Sequence, residues 1–129
     1  MGAYGVFHIW HKDADLYLTD LHTQKTRPMT EINSGEAESG CAWSSNGRWL
    51  VFGSRRNDGN YTRPFIAYIG PDGRGRKPFE LPQEIPDKHR NFMRSYNIPE
   101  FMNGPVDISP QAFAAVIRET EAKPARLAR

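Results

Sequence analysis

The sequence predicts an all-β fold of antiparallel four-stranded units, incomplete at about one and three-quarter units, followed by an irregular segment and one short helix. Three observations carry this. Short apolar runs alternate with turn-forming residues between positions 4 and 82, two of those runs are apolar without interruption, and part of the pattern recurs at a fixed offset.

The runs, in chain order, are residues 5–10, closed by His11-Lys12-Asp13-Ala14; residues 15–21, closed by His22-Thr23-Gln24-Lys25; and residues 26–32. The polar stretch 33–40 reads as a loop, with Glu36 and Glu38 as solvated charge. Cys41-Ala42-Trp43-Ser44 opens the next strand. Cys41 is expected to be a small buried residue beside Trp43, because no neighbouring base activates the thiol. Ser45-Asn46-Gly47 is a tight-turn sequence, since Asn and Gly both tolerate positive φ. Strands follow at 48–54, 64–69 and 77–81, separated by Asn57-Asp58-Gly59-Asn60 and Pro71-Asp72-Gly73. About seven strands at these spacings fit an antiparallel architecture.

Trp49-Leu50-Val51-Phe52 and Phe65-Ile66-Ala67-Tyr68-Ile69 lack the alternation of a half-exposed strand. Strands apolar on both sides require cover on both sides. The recurrence aligns Leu16-Tyr17-Leu18 with Ile66-Ala67-Tyr68, and Arg27-Pro28-Met29 with Lys77-Pro78-Phe79, fifty positions apart. Phe7 and Phe52 occupy matching runs, but the second copy carries about five extra residues before its next strand. Without that insertion the period is about 45, and four short strands at this period describe a propeller blade. Residues 4–32 then form a partial blade and 41–82 a full one.

After Pro82 the pattern stops. Residues 83–108 are aromatic and irregular, with Pro86, Pro99 and Pro105 forbidding a long helix. Residues 99–106 are expected to lie over the sheet, Phe101 and Met102 covering apolar strand surface. Ser109-Pro110 starts a helix over 109–122, with Ser as cap and Pro at the first position. Its Phe113 and Ile117 are expected to pack inward, with Ile108 stapling Phe113. Residues 123–129 are basic and expected to fray.

The stretch from Cys41 through Trp43-Ser44-Ser45-Asn46-Gly47-Arg48 to Arg56, with Asp72-Gly73 downstream, resembles the repeat of TolB-like, WD40-like (PD40-type) β-propellers. Ser45 and Asn46 stand where that family usually has proline and aspartate. Residues 97–106 are similar to the carboxyl end of a Bacteroides-type subset. The resemblance implies a periplasmic or otherwise exported propeller that binds a protein or peptide partner and needs no cofactor. It equally allows an accessory propeller of a larger cell-envelope hydrolase. A closed ring needs at least four blades. The chain is therefore expected to be the carboxyl-terminal portion of a longer protein, or to complete itself as a homo-oligomer through its blade faces.

Composition narrows the partners. The chain has 129 residues, one domain's worth, and its 17 Lys and Arg against 15 Asp and Glu leave a net charge of +2. That balance does not suit a nucleic-acid-coating surface, even with Arg74-Gly75-Arg76-Lys77, and no apolar run is long enough for membrane insertion. One cysteine excludes an internal disulfide. The amino terminus does not read as a secretory leader, so an exported form would have its leader upstream.

No catalytic residue and no metal ligand is assigned. His8 and His11 fall on alternating faces of an expected strand. Residues 57–60 lack the ligands of a calcium loop, residues 70–75 precede no helix that could present amides to a phosphate, and no Gly-x-Ser-x-Gly occurs. The binding residues singled out are Arg55, Arg56, Asp58, Asn60, Tyr61 and Arg63, in the long inter-strand loop. Loops on a rigid β scaffold carry binding function, and Arg and Tyr are favoured anchors. Local pairing of these arginines with acids is the competing reading.

Overall fold

The computed structural model describes residues 7–86 and 91–119. Among them six strands form two antiparallel sheets. β1 (Tyr17–Thr19) pairs with β2 (Thr26–Pro28). β3 (Glu38–Trp43), β4 (Trp49–Ser54), β5 (Arg63–Tyr68) and β6 (Phe79–Glu80) neighbour one another in chain order across a four-stranded sheet. One helix, α1 (Pro110–Arg118), follows. The regular structure of the described residues is mostly strand, in two antiparallel sheets, with the short helix α1 after them.

The turns form as their chemistry requires. In the β3–β4 connection Gly47 N donates to Ser44 O (2.9 Å), while Asn46 Oδ1 accepts from Arg48 N and the Ser44 hydroxyl. Between β5 and β6, Gly73 N closes onto Gly70 O and Asp72 Oδ1 accepts from Arg74 N. The first expected strand is different. His8–Trp10 is a 3-10 turn entered through Phe7 in the left-handed region (φ 58°); residues 5 and 6 lie outside the described residues. Its amides close locally, Trp10 N to Phe7 O and His11 N to His8 O, so this stretch satisfies its polar groups without a strand partner.

The recurrence seen in the sequence reappears as strand register. Met29 N donates to Leu16 O at 3.0 Å, and fifty positions on, Phe79 is the register partner of Ile66. The pairing of Leu16 with Met29 thus matches that of Ile66 with Phe79, whereas nearer the turn the second ribbon is shifted by one residue, Ile69 bridging Gly75. The β1–β2 ribbon packs on the four-stranded sheet through its side chains. Leu16, Met29 and Ile32 from the first layer meet Leu50, Phe52, Phe65, Ala67 and Ile69 from the second in one buried core. Side chains alternate along a strand, so Leu50 and Phe52 of β4, with their partners Ala67 and Phe65 of β5, form this inner face.

Asn33 braces the first layer internally, while Arg27 and Glu31 fasten it to the second. Asn33 Nδ2 donates to Leu16 O while its Oδ1 accepts from Leu16 N, both at 3.0 Å. Arg27 reaches across to Gly73 O (2.6 Å) and pairs with Glu31, whose Oε1 accepts from Gly75 N at 3.0 Å. Burial pushes the Glu31 carboxyl up, but the Arg27 guanidinium and the Gly75 amide outweigh it and hold it at about 2. A carboxylate depressed in the folded chain adds stability above the ordinary pKa, 4.5, that is lost as pH falls toward 2. Urea titrations between pH 5 and pH 2.5 should show a loss of about 1–2 kcal/mol from this group, screened by its partial exposure. Glu31→Gln should remove that share of the acid sensitivity; an unchanged slope would exclude Glu31 as its source.

The outer face, Val51, Gly53, Pro64 and Ile66, is covered as the uninterrupted apolar runs demanded. The cover is an extended strap that begins earlier than expected, within residues 92–101. Tyr96 N donates to Thr62 O (3.0 Å), Thr62 N to Ser95 Oγ (3.2 Å), and Arg63 to the carbonyls of Arg94 (2.6 Å) and Phe92 (2.8 Å). A Cβ at Gly40 would lie 2.5 Å from Asn97 O, so glycine there lets the strap touch the sheet backbone. Phe101, 39% exposed, lines the same cavity over Val51 and Ile66 as Tyr96, 42% exposed, whereas Met102 is 64% exposed.

Three further expectations are corrected. Cys41 is exposed rather than buried, because a register shift between Ser39 and Ala42 turns it out at the edge strand. The helix is shorter than 109–122, and Phe113 and Ile117 are exposed, the latter at 81%, rather than packed on the sheet. Its start is as expected, with Ser109 Oγ accepting from Ala112 N, but Pro99 and Pro105 keep the connection extended and the strap already occupies the outer face. Residues 123–129 lie outside the described residues.

Candidate functional site

The loop between β4 and β5 is shaped by its own polar groups. Asp58 N and Gly59 N close onto Arg55 O, and Asp58 Oδ1 accepts from Asn60 N and Tyr61 N, both at 2.8 Å. Burial works to raise the Asp58 carboxyl, but the Tyr61 and Asn60 amides and the charges of Arg63 and Arg55 hold it below its ordinary range. Arg55 donates to Asn60 O and lays its guanidinium 4.7 Å over the Trp10 ring. That contact draws the amino-terminal turn to the loop.

The six sequence-selected residues divide. Arg55, Asp58 and Asn60 line a shallow polar cleft of about 350 Å³ together with Trp10, Lys12, Glu36, Ala37 and Gly59. Lys12 Nζ and the Glu36 carboxylate meet there at 2.7 Å. Asp58 and Arg63 line a second cleft of about 390 Å³ with Asn57 and Glu80, where Asn57 Nδ2 donates to Glu80 Oε2 at 2.8 Å. Tyr61 is half-buried beneath the Arg63 guanidinium, 5.6 Å from its ring. Arg63 itself is 2% exposed and spends its donors on the strap.

Arg56 turns inward. Its Nη2 donates to Glu38 Oε1 (3.1 Å) and Ile32 O (2.8 Å), its Nε to Ser54 Oγ (2.8 Å), and its guanidinium lies 4.6 Å over the Phe65 ring. Glu38, expected as solvated loop charge, is 1% exposed and belongs to β3. It also accepts from Ser34 N (2.9 Å), Ser34 Oγ (2.6 Å) and Ser54 Oγ (2.7 Å). Four donors around one carboxylate make burial of the charge tolerable. This is a structural hub between the layers, not a surface site.

Trp10, Lys12, Glu36, Asn57 and Glu80 were not singled out from sequence. Trp10 reads as one more strand residue and Glu36 as one more solvated acid; only the fold brings them to a loop some twenty or more positions away. Charges around the first cleft balance, Lys12 and Arg55 against Glu36 and Asp58. The clefts can hold a polar, mixed-charge segment, with Trp10, 66% exposed, as an apolar anchor. Among the described residues no group of three or more His, Cys, Asp or Glu comes together as metal ligands, and no helix is long and apolar enough to cross a membrane. No protein-family model matches the chain, and no curated protein or solved structure is significantly similar to it.

Proposed function

We propose that the chain is a non-catalytic scaffold that binds a protein or peptide, built from TolB-like, WD40-like propeller units and acting in the periplasm. The observation that carries the binding role is the β4–β5 loop, a self-braced projection flanked by two polar clefts and joined to an exposed tryptophan. Loops of this kind on a rigid sheet recognise partners, and Trp and Arg are the residue types that anchor them. The propeller reading is supported by the four-stranded sheet in sequential order, by the pairing of Leu16 with Met29 and of Ile66 with Phe79 fifty positions apart, and by the burial of Leu16 and Met29 against the second sheet.

Arg55 and Trp10 contact the partner in this reading, whereas Arg56 and Arg63 hold the scaffold. A partner identified by cross-linking from Asn60 should bind the Trp10→Ala/Arg55→Ala chain about tenfold or more weakly. Equal binding by a double variant with an unchanged thermal transition would overturn the assignment.

A further inference from the structure

We infer that the outer face of the four-stranded sheet is a binding groove for an extended peptide, which the chain's own residues 92–101 fill in cis. The corresponding face of the first unit, at Leu16 and Met29, is covered by a whole β-sheet. In the second unit the equivalent residues, Ile66 and Phe79, meet no third sheet among the described residues. A thin, mostly exposed strap crosses over Ile66 instead, and a cavity of about 380 Å³ remains between Val51, Pro64, Ile66 and Leu81 on one side and Tyr96 and Phe101 of the strap on the other.

The anchors holding the strap read its main chain more than its side chains. Arg63, buried, aims its two terminal nitrogens at two successive alternate carbonyls, those of Phe92 and Arg94. Thr62 offers a carbonyl to the Tyr96 amide, and only its own N–H seeks a side chain, the Ser95 hydroxyl. Gly40 and Gly53 clear the path of Asn97 O. Any extended segment can meet such main-chain anchors, and specificity comes from what reaches the apolar pocket. The ligand class is an extended peptide with a hydroxyl residue before the paired amide and, after it, a proline and an aromatic two residues further on, as Pro99 and Phe101 stand in the strap.

This groove rests on the binding-scaffold reading but shares only Thr62 and Arg63 with the loop region, and neither Trp10 nor Arg55, so the two fail separately. The probe is a fluorescent peptide of residues 92–101, titrated by anisotropy into the full chain. Tethering gives the strap a high effective concentration, so wild type should bind the probe weakly. The full chain carrying Tyr96→Pro, which lacks the amide that pairs with Thr62 O, should bind it at least about tenfold more tightly. A probe carrying the same Tyr96→Pro change should bind at least about tenfold more weakly than the native probe, with the protein untouched. Adding Trp10→Ala/Arg55→Ala to the strap variant should leave probe affinity unchanged. Failure of the native probe to bind the folded strap variant, or equal binding of both probes, would overturn the groove while leaving the loop reading intact.

Discussion

Replacing Glu38 by alanine should lower the unfolding free energy by about 3–5 kcal/mol, the range expected when one partner of a buried ion pair is removed. The reason is what remains. Arg56, 18% exposed at its side chain, would keep its charge between the layers with only neutral acceptors, and both the Ser34 and Ser54 hydroxyls would lose the acceptor they now share. Arg56→Ala should cost a similar amount, since it leaves the carboxylate uncompensated instead. The two changes combined should cost clearly less than their sum, because they remove members of one network. Urea denaturation of the three chains measures this. A Glu38→Ala loss under about 1 kcal/mol would mean that water replaces the network and that the carboxylate does not organise the interface.

Phe52→Ala should cost about 3–5 kcal/mol, the range for emptying an aromatic site in a core. Phe52 is fully buried, its ring centroid 6.2 Å from that of Phe65, at the meeting of both layers and beneath the Arg56 guanidinium. Its inner-face neighbours Leu50, Phe65 and Ala67 belong to paired strands, which limits collapse into the void. Phe113→Ala provides the contrast. That ring is 49% exposed on an unburied helix, so its loss should fall within about 0.5 kcal/mol. Comparable effects at the two positions would show that the helix packs on the sheets in solution.

Together these variants separate what holds the chain from what it presents. Arg56 and Arg63 sit in the same sequence stretch as Arg55, yet their substitutions should act through stability, while Arg55 should act through binding. A scan of the loop that reported only partner capture would confuse the two.

Much of the strand order could be read from local chemistry. Turn residues such as Asn46-Gly47 and Asp58-Gly59 act within a few positions, so their hydrogen bonds follow from sequence alone. The apolar runs at Trp49 and Phe65 demanded cover on both faces, and the register of Leu16 with Met29 and of Ile66 with Phe79 bears out the fifty-residue recurrence. Where locality ended, so did legibility. Glu38 looks like any acid in a polar stretch until Ser54 and Arg56 close over it, and Trp10 looks like a strand residue until Arg55 meets it.

By itself, then, the sequence located β4, β5 and the turns around them, showed that both their sides are apolar, and picked out the loop that carries the charge and aromatic groups; it did not show that residues 8–10 form a 3-10 turn or that β3 begins at Glu38. Tertiary structure alone decided which charges are buried, which arginines face the interior, and that the cover over the sheet begins near residue 92 rather than at 99. The physical reason is range. Turn geometry and side-chain alternation are settled within a few residues, whereas desolvation and ion pairing depend on partners brought together only when the layers close.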